Sequence, residues 1–274
     1  MTSIALFGAG GKMGCRLAKN LKGSRFDVRH VEVSEAGKVR LAELGLSTVD
    51  ADAALDGAEV VVLAVPDSAI GKVASAIADR LKPGTMVIVL DAAAPYAGHL
   101  PERSDLTYFV THPCHPPIFN DETDPAAKRD FFGGVAAKQH IVSALMQGPE
   151  EAYALGEEIA KIIWAPVMRS HRVTVEQIAL LEPGLSETVC ASLLVVMREA
   201  MEECVRRGVP KEAARDFLLG HMNVLGAVIF EETPGVFSDA CNKAIEFGKP
   251  MLMREDWKRV FEPQEIADSI RRIT

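Results

Sequence analysis

Short apolar runs alternate with segments of helical period through the first part of the chain. Ser3 to Phe7 is apolar, GAGGKMG follows it, and Met13, Leu17, Ala18 and Leu21 then share one helical face before Gly23. Asp27 to Val33, AEVVVLAVPDSAI (Ala58 to Ile70) and TMVIVLDAAAP (Thr85 to Pro95) carry further strands, with a helix-period segment from Ile70 to Leu81. Leu106, Tyr108, Phe109 and Val110 read as another buried strand. His140 to Met146 reads as a strand, Glu150 to Ile162 as a helix and Ile163 to Met168 as a final strand. Near-continuous Val and Leu strands need cover on both faces. The pattern therefore predicts an α/β Rossmann-type N-terminal domain with a mostly parallel, extended sheet over residues 1–170.

From Val173 onward the pattern is helical, predicting an all-helical C-terminal domain over residues 171–274 for substrate binding and dimerisation. Val173 to Arg207 reads as one long helix, with Val189, Leu193, Val196, Ala200 and Cys204 as its stripe and Pro183 and Gly184 interrupting its early part. LLVVM (Leu193 to Met197) and the apolar faces of Leu218 to Phe230 exceed what a domain of ~100 residues buries alone, which predicts a homodimer.

Composition narrows the partners. The 274 residues hold 48% hydrophobic and 25% charged positions, and no uninterrupted apolar run approaches a membrane span. A net charge of −8 argues against nucleic acid, which needs clustered Lys and Arg, and leaves a small molecule as the expected partner. Cys15, Cys114, Cys190, Cys204 and Cys241 are odd in number and scattered, as in reduced cytoplasmic proteins. The N-terminus enters a strand without a charged leader, so no secretory signal is expected.

The glycine turn carries the first chemistry. Gly8, Gly10, Gly11 and Gly14 satisfy G-x-G-x-x-G spacing only with Ala9 in first place, and also read as G-x-x-G-x-x-G. Either way, the backbone from Gly8 through Lys12 and Met13 to Gly14 can approach a pyrophosphate at a helix start, where free N–H groups and the dipole stabilise its charge. Glu32, 18 residues beyond Gly14, can accept hydrogen bonds from ribose hydroxyls and repel a 2′-phosphate, favouring NAD over NADP, with Glu35 as the alternative acid. Val65, Pro66 and Asp67 leave a strand end and should line the dinucleotide crevice.

THPCHPPIFNDE, residues 111–122, is harder to place. Pro113, Pro116 and Pro117 exclude helix interior and central strand, so a rigid loop is expected, with His112 leaving a strand end. A metal site, a catalytic loop and a stiff turn whose histidines pair with Asp121 and Glu122 all remain open. No second cysteine lies within zinc spacing of Cys114. In LEPGLSET, Glu182 and Glu187 sit among apolar neighbours, where carboxylates are rarely left unpaired, although a solvated face is the alternative. His221 lies on an apolar helix, where packing competes with a site role.

A glycine-turn domain, the LAVPD strand end and a helical second domain together resemble the β-hydroxyacid and 6-phosphogluconate dehydrogenase superfamily. That superfamily carries a catalytic lysine, an asparagine four residues later, and an acid about 16 residues beyond the lysine. Counting back from Glu199 reaches Pro183, beside Glu182, and puts Glu187 at the asparagine's place. Carboxylates therefore stand where a lysine acid/base would be. THPCHPPIFNDETDPAAKRDFFGG and LLEPGLSET more closely resemble the D-apionate oxidoisomerase family. This resemblance implies an oxidoreductase in which NAD oxidises the C2 alcohol of a branched sugar acid and a hydroxymethyl group then migrates, giving 3-oxo-isoapionate. Such a shift needs a Lewis acid on the adjacent oxygens. A divalent metal (Zn, Mn or Mg) is then expected on His112 and Glu182, with substrate hydroxyl and carboxylate oxygens completing its shell. Glu187 is the expected proton shuttle, with His115 and His221 as further acid/base candidates. Simple hydroxyacid oxidation without rearrangement, and an NAD(H)-sensing module without turnover, are the competing readings.

Overall fold

The first strands are apolar on both faces because helices cover both. In the computed structural model, which describes residues 1–274, β1 (Ser3–Phe7), β2 (Asp27–Val31), β3 (Val60–Leu63), β4 (Met86–Val89), β5 (Thr107–Pro113), β6 (Gln139–Gln147) and β7 (Val167–Arg172) form one sheet in the order β2-β1-β3-β4-β5-β6-β7. Pairing is parallel except between β5 and β6. All residues of β1, β3 and β4 are buried. Helices α1 (Lys12–Leu21), α2 (Glu35–Glu43), α3 (Ala51–Leu55), α4 (Asp67–Ala78), α5 (Ala93–Tyr96) and α6 (Ala152–Ile163) connect the strands. On one side Leu17, Leu21, Ile159 and Ile163 from α1 and α6 pack on Ile4, Leu6, Phe109 and Ile141. Gly156 lets α6 lie directly on the Phe109 ring, where a Cβ would collide with ring carbons.

Two strand boundaries differ from expectation. β5 continues through His112 to Pro113, paired with β6 as His112↔Val142 and Pro113↔Ile141. The proline is tolerated because β4 pairs only as far as Val110. Cys114 N–H bonds the His140 carbonyl at 2.9 Å, so Pro113, one residue earlier, turns its nitrogen toward the side where β4 has ended. β7 begins only after Pro166. Ile163 is instead the last buried residue of α6, because the helical period, not strand alternation, accounts for Ile159, Ala160 and Ile163.

The chain divides into two compact units, residues 1–181 with 267–274, and residues 182–266. The division falls after the expected position near residue 170, because α7 (Val175–Ala179) still belongs to the sheet's cover. Its Val175, Ile178 and Ala179 are buried, and it packs on β6 and α5. Part of α11 (Pro263–Ile273) returns to the first unit.

The second unit opens on a π-helical stretch, Leu180–Ala191, and continues through α8 (Ser192–Arg206), α9 (Lys211–Ile229) and α10 (Asp239–Leu252). Pro183 sits inside the π stretch. Proline crowds the carbonyl four residues back, and a wider i→i+5 turn relieves that clash. The Thr188 hydroxyl donates to the Pro183 carbonyl at 2.6 Å. The unit has almost no core of its own: α8 and α10 bury no residue, and α9 buries only Ala214. The continuous helix Val175–Arg206 is long and apolar enough, by length and composition alone, to cross a membrane, with 22% of its most apolar window buried. The expectation that no segment approaches a span thus holds for uninterrupted runs and not for the assembled helix.

Candidate functional site

The glycine turn lies at the end of β1, between β2 and β3, where the sheet order reverses and open α/β sheets bind ligands. Gly8 has φ +70°, and a Cβ there would meet the Ala64 carbonyl beyond β3. A Cβ on Gly14 would collide with the Gly8 carbonyl. Of the two sequence readings, the one running Gly8, Gly11, Gly14 therefore describes the turn: the first glycine supplies the positive φ, and the last brings the helix onto the strand. Gly11 caps α1 without a side-chain hydrogen bond, and no acid occupies the first turn. The N–H groups of Lys12, Met13 and Gly14 are those an α-helix leaves without internal acceptors, as a pyrophosphate cradle requires. Lys12 is exposed. The Met13 side chain packs on the core, in keeping with its place on the apolar face of the helix, which leaves its backbone to the turn.

Glu32 follows β2 directly. Its carboxylate accepts the Gly10 N–H at 2.8 Å, and the Ser34 N–H and hydroxyl at 2.8 Å each. Burial pushes this carboxyl up, but the donors from Ser34, Gly10 and Val33 outweigh it and hold the group below the usual carboxylate range. Glu35, the alternative acid, is exposed and pairs with Lys38 at 2.7 Å. Arg40 donates from Nε to the Gly10 carbonyl at 2.8 Å, so the turn is held from both sides. Pro66 caps α4 and Asp67 is its first residue, close to Gly8 through the Ala64–Val65 strand end.

His112 stands near the end of β5. Its Nδ1 lies 2.9 Å from the Leu90 carbonyl. A carbonyl can only accept, so Nδ1 carries the proton and Nε2 presents its lone pair. Asp91 follows β4, with Oδ2 3.7 Å from the same Nδ1 and Oδ1 accepting the Ala93 N–H at 2.6 Å. His115 packs edge-on to His112, ring centroids 6.1 Å apart. It holds a left-handed φ of 62°, and its Nδ1 donates to the Phe132 carbonyl at 2.9 Å. Neither histidine pairs with Asp121 or Glu122; Glu122 instead accepts the Lys138 N–H at 2.9 Å. The loop is tied down by Asp130, whose Oδ2 accepts N–H groups from Val135, Ala136 and Ala137 at 3.2, 2.8 and 3.1 Å. Asn20 on α1 joins it by donating to the Gly134 carbonyl at 3.1 Å.

In the second unit, Glu182 and Glu187 both lie in the π stretch. Residues five apart would stand about 140° around an α-helix. The i→i+5 ladder stacks them one turn apart, which puts both carboxylates on one side of the helix. His221 lies on α9, exposed, stacked on Phe217 at 4.0 Å with Nδ1 donating to the Phe217 carbonyl at 2.8 Å. The residue missed by sequence reasoning is Asp91. Its signal was available, since it leaves a strand end in the same way as Pro66 and Asp67.

Comparison with known proteins agrees with this organisation. A family model for the C-terminal domain of decarboxylating phosphogluconate dehydrogenase matches residues 120–274. One for coenzyme F420-dependent NADP oxidoreductase matches residues 3–95. The chain is 82% identical to a D-apionate oxidoisomerase of Rhizobium rhizogenes, covering 100% of both chains, and 74% identical to one of Cupriavidus necator, covering 99% of both. A crystal structure of a semialdehyde dehydrogenase NAD-binding protein from Cupriavidus necator, in complex with calcium and NAD, superposes with a TM-score of 0.99 at 73% identity over 100% of both chains. An NADH-preferring ketol-acid reductoisomerase from an uncultured archaeon shares the fold, with a TM-score of 0.69 at 19% identity, covering 99% of this chain and 82% of the other. Matched from end to end by such relatives, the protein is an enzyme with an NAD-binding fold, and it belongs to the D-apionate oxidoisomerase family.

Proposed function

We propose that the protein oxidises D-apionate with NAD and rearranges the product to 3-oxo-isoapionate with the help of a divalent cation. The observation that carries this reading is the end-to-end identity to D-apionate oxidoisomerases. The donor chemistry supports the cation: Asp91 and His112 lie together in the first unit, and with Glu182, which opens the second, would offer two carboxylates and one imidazole, a combination that suits Mg, Mn or Zn. When bound, NAD takes a hydride from C2, and the cation supplies a Lewis acid for the vicinal oxygens.

The reaction balances without another reactant. In the first step the C2–H bond breaks toward the nicotinamide, the C2 hydroxyl loses its proton and a C2 ketone forms. In the second, a hydroxymethyl group leaves C3 for C2, the C3 hydroxyl proton is released and the C2 oxygen takes one up. The turn from Gly8 to Gly14 holds the pyrophosphate, Glu32 the adenosine ribose, and Pro66 and Asp67 border the crevice. His112 binds through Nε2, its orientation fixed by the Leu90 carbonyl. Glu187 moves the protons, with His115 and His221 as the other acid/base candidates.

The helical unit serves substrate binding and dimerisation. Its apolar faces fit burial against a second copy, with Val195 on α8, Phe217 and Val224 on α9 and Phe247 on α10 all exposed. Five cysteines, none of them in a disulfide, suit a reducing, cytoplasmic setting.

NADH absorbance with D-apionate, followed by NMR of the product, tests the reading. The expected result is NADH formation with a migrated hydroxymethyl carbon. An unrearranged 2-keto acid would mean a simple dehydrogenase, and NAD binding without turnover of any sugar acid a sensor. Full activity after chelation, or full metal content in Glu182→Gln and Asp91→Asn, would remove the metal assignment. Light scattering that found an active monomer would remove the dimer.

A further inference from the structure

We infer that His140, Arg169 and His171 form a carboxylate-binding row beside His112, receiving the acid group of the substrate. This rests on the sugar-acid reading above for its ligand, but its geometry stands on the sheet alone. Val142 pairs with His112 of β5 on one side and with His171 of β7 on the other. Residues directly opposite share a face, so His112 and His171 project from the same face, two strand spacings or about 10 Å apart. His140 lies two residues before Val142 and so shares that face, diagonal to His112 and directly opposite Arg169. The side chains agree, with the His140 and His171 rings meeting at 5.9 Å.

The row has the character of an anion site. The charged groups acting on His140 are Arg169 and His171, both of one sign, with no carboxylate among them. The chain carries a net charge of −8, so an arginine set beside two histidines runs against its overall balance. His140 Nδ1 is buried without a hydrogen-bond partner, which costs free energy unless a ligand or water supplies one. Arg169 and His171 are exposed, so they can receive a ligand without rearrangement. Arg169 can grip a carboxylate through two parallel N–H bonds, and each imidazole offers one donor. With the C2 and C3 oxygens of the hydroxyacid held near His112, its carboxylate is directed to this row and not, as the sequence led us to expect, to the shell of the cation.

Arg169→Gln and His171→Gln, both surface changes, should raise the KM for D-apionate about 10- to 100-fold, the worth of a charge-assisted hydrogen bond. Turnover at saturation should stay within about 3-fold, NADH affinity should not change, and Arg169→Lys should recover part of the loss, as expected of binding that is equal in ground and transition states. Glycolate binding to the NADH-loaded protein, measured by calorimetry, tests the row independently of D-apionate turnover and should weaken in both Gln variants. If the wild-type enzyme turns over D-apionate and both variants keep its KM and their glycolate affinity within 2-fold, the row is no subsite. If no sugar acid is turned over but glycolate binding still depends on Arg169 and His171, the row stands and the proposed substrate falls.

Discussion

Replacing Glu32 by Gln separates two roles that the structure gives one carboxylate. Glu32 receives the Gly10 N–H, the Ser34 N–H and the Ser34 hydroxyl, each at 2.8 Å, and in the proposed complex it also receives the ribose hydroxyls of NAD. Gln keeps one acceptor oxygen, places an NH2 where the other oxygen stood, and removes the charge. A hydrogen bond to a charged group is worth about 1.5–3 kcal/mol, so NADH affinity should fall about 10- to 100-fold. NADPH should respond in the opposite direction. One unit charge of a 2′-phosphate ~6 Å from the carboxylate, at an effective dielectric of ~20, is repelled by about 3 kcal/mol. Solvent and salt around a half-exposed group reduce this, leaving a gain of about 10-fold for NADPH. Fluorescence titrations with both cofactors, beside thermal melts, read the outcome. Equal losses for NADH and NADPH would mean that Glu32 acts only by holding the glycine turn through Gly10. Unchanged NADH affinity would refute the ribose role altogether.

Glu187→Gln should keep metal content and NADH affinity while lowering turnover by about 100- to 10,000-fold; near-normal turnover would pass the proton role to His115 or His221. Gly156→Ala should destabilise the first unit by about 1–3 kcal/mol in denaturant melts, because a Cβ would overlap the Phe109 ring, and a neutral result would mean that α6 shifts freely. Burial raises the Asp130 carboxyl, but the N–H donors of Ala136, Ala137 and Val135, with Arg16 nearby, bring it below the usual range. A depressed carboxylate stabilises the fold above its unfolded pKa of about 3.9 and loses that contribution as pH falls through the lower folded value. Thermal melts should therefore show an acid limb starting below about pH 5 that is shallower in Asp130→Asn, and identical limbs would exclude Asp130 as its source.

The Rossmann-type domain, the glycine turn and Glu32 were legible from residue order alone, because each depends on neighbours close in sequence. A strand, a turn and a helix start follow one another along the chain, and the acid comes one strand later. The choice of Gly8 over Ala9 as the first motif position needed the structure, since it rests on a φ of +70° and the approach of Ala64. The same is true of β5 running through His112 to Pro113. A proline excludes a strand only where its nitrogen faces a partner, and the early end of β4 removes that partner. Asp91 joins His112 because β4 and β5 are adjacent in the sheet, and His140 and His171 fall on the face of His112 through the register of three strands. Glu182 and Glu187 share one side of a helix only because Pro183 accompanies a π stretch in place of an α-helix. Local pattern determines which elements form, because propensity and periodicity act over a few residues. Which side chains meet depends on strand order, register and helical pitch, and those are settled by packing between segments far apart in the chain.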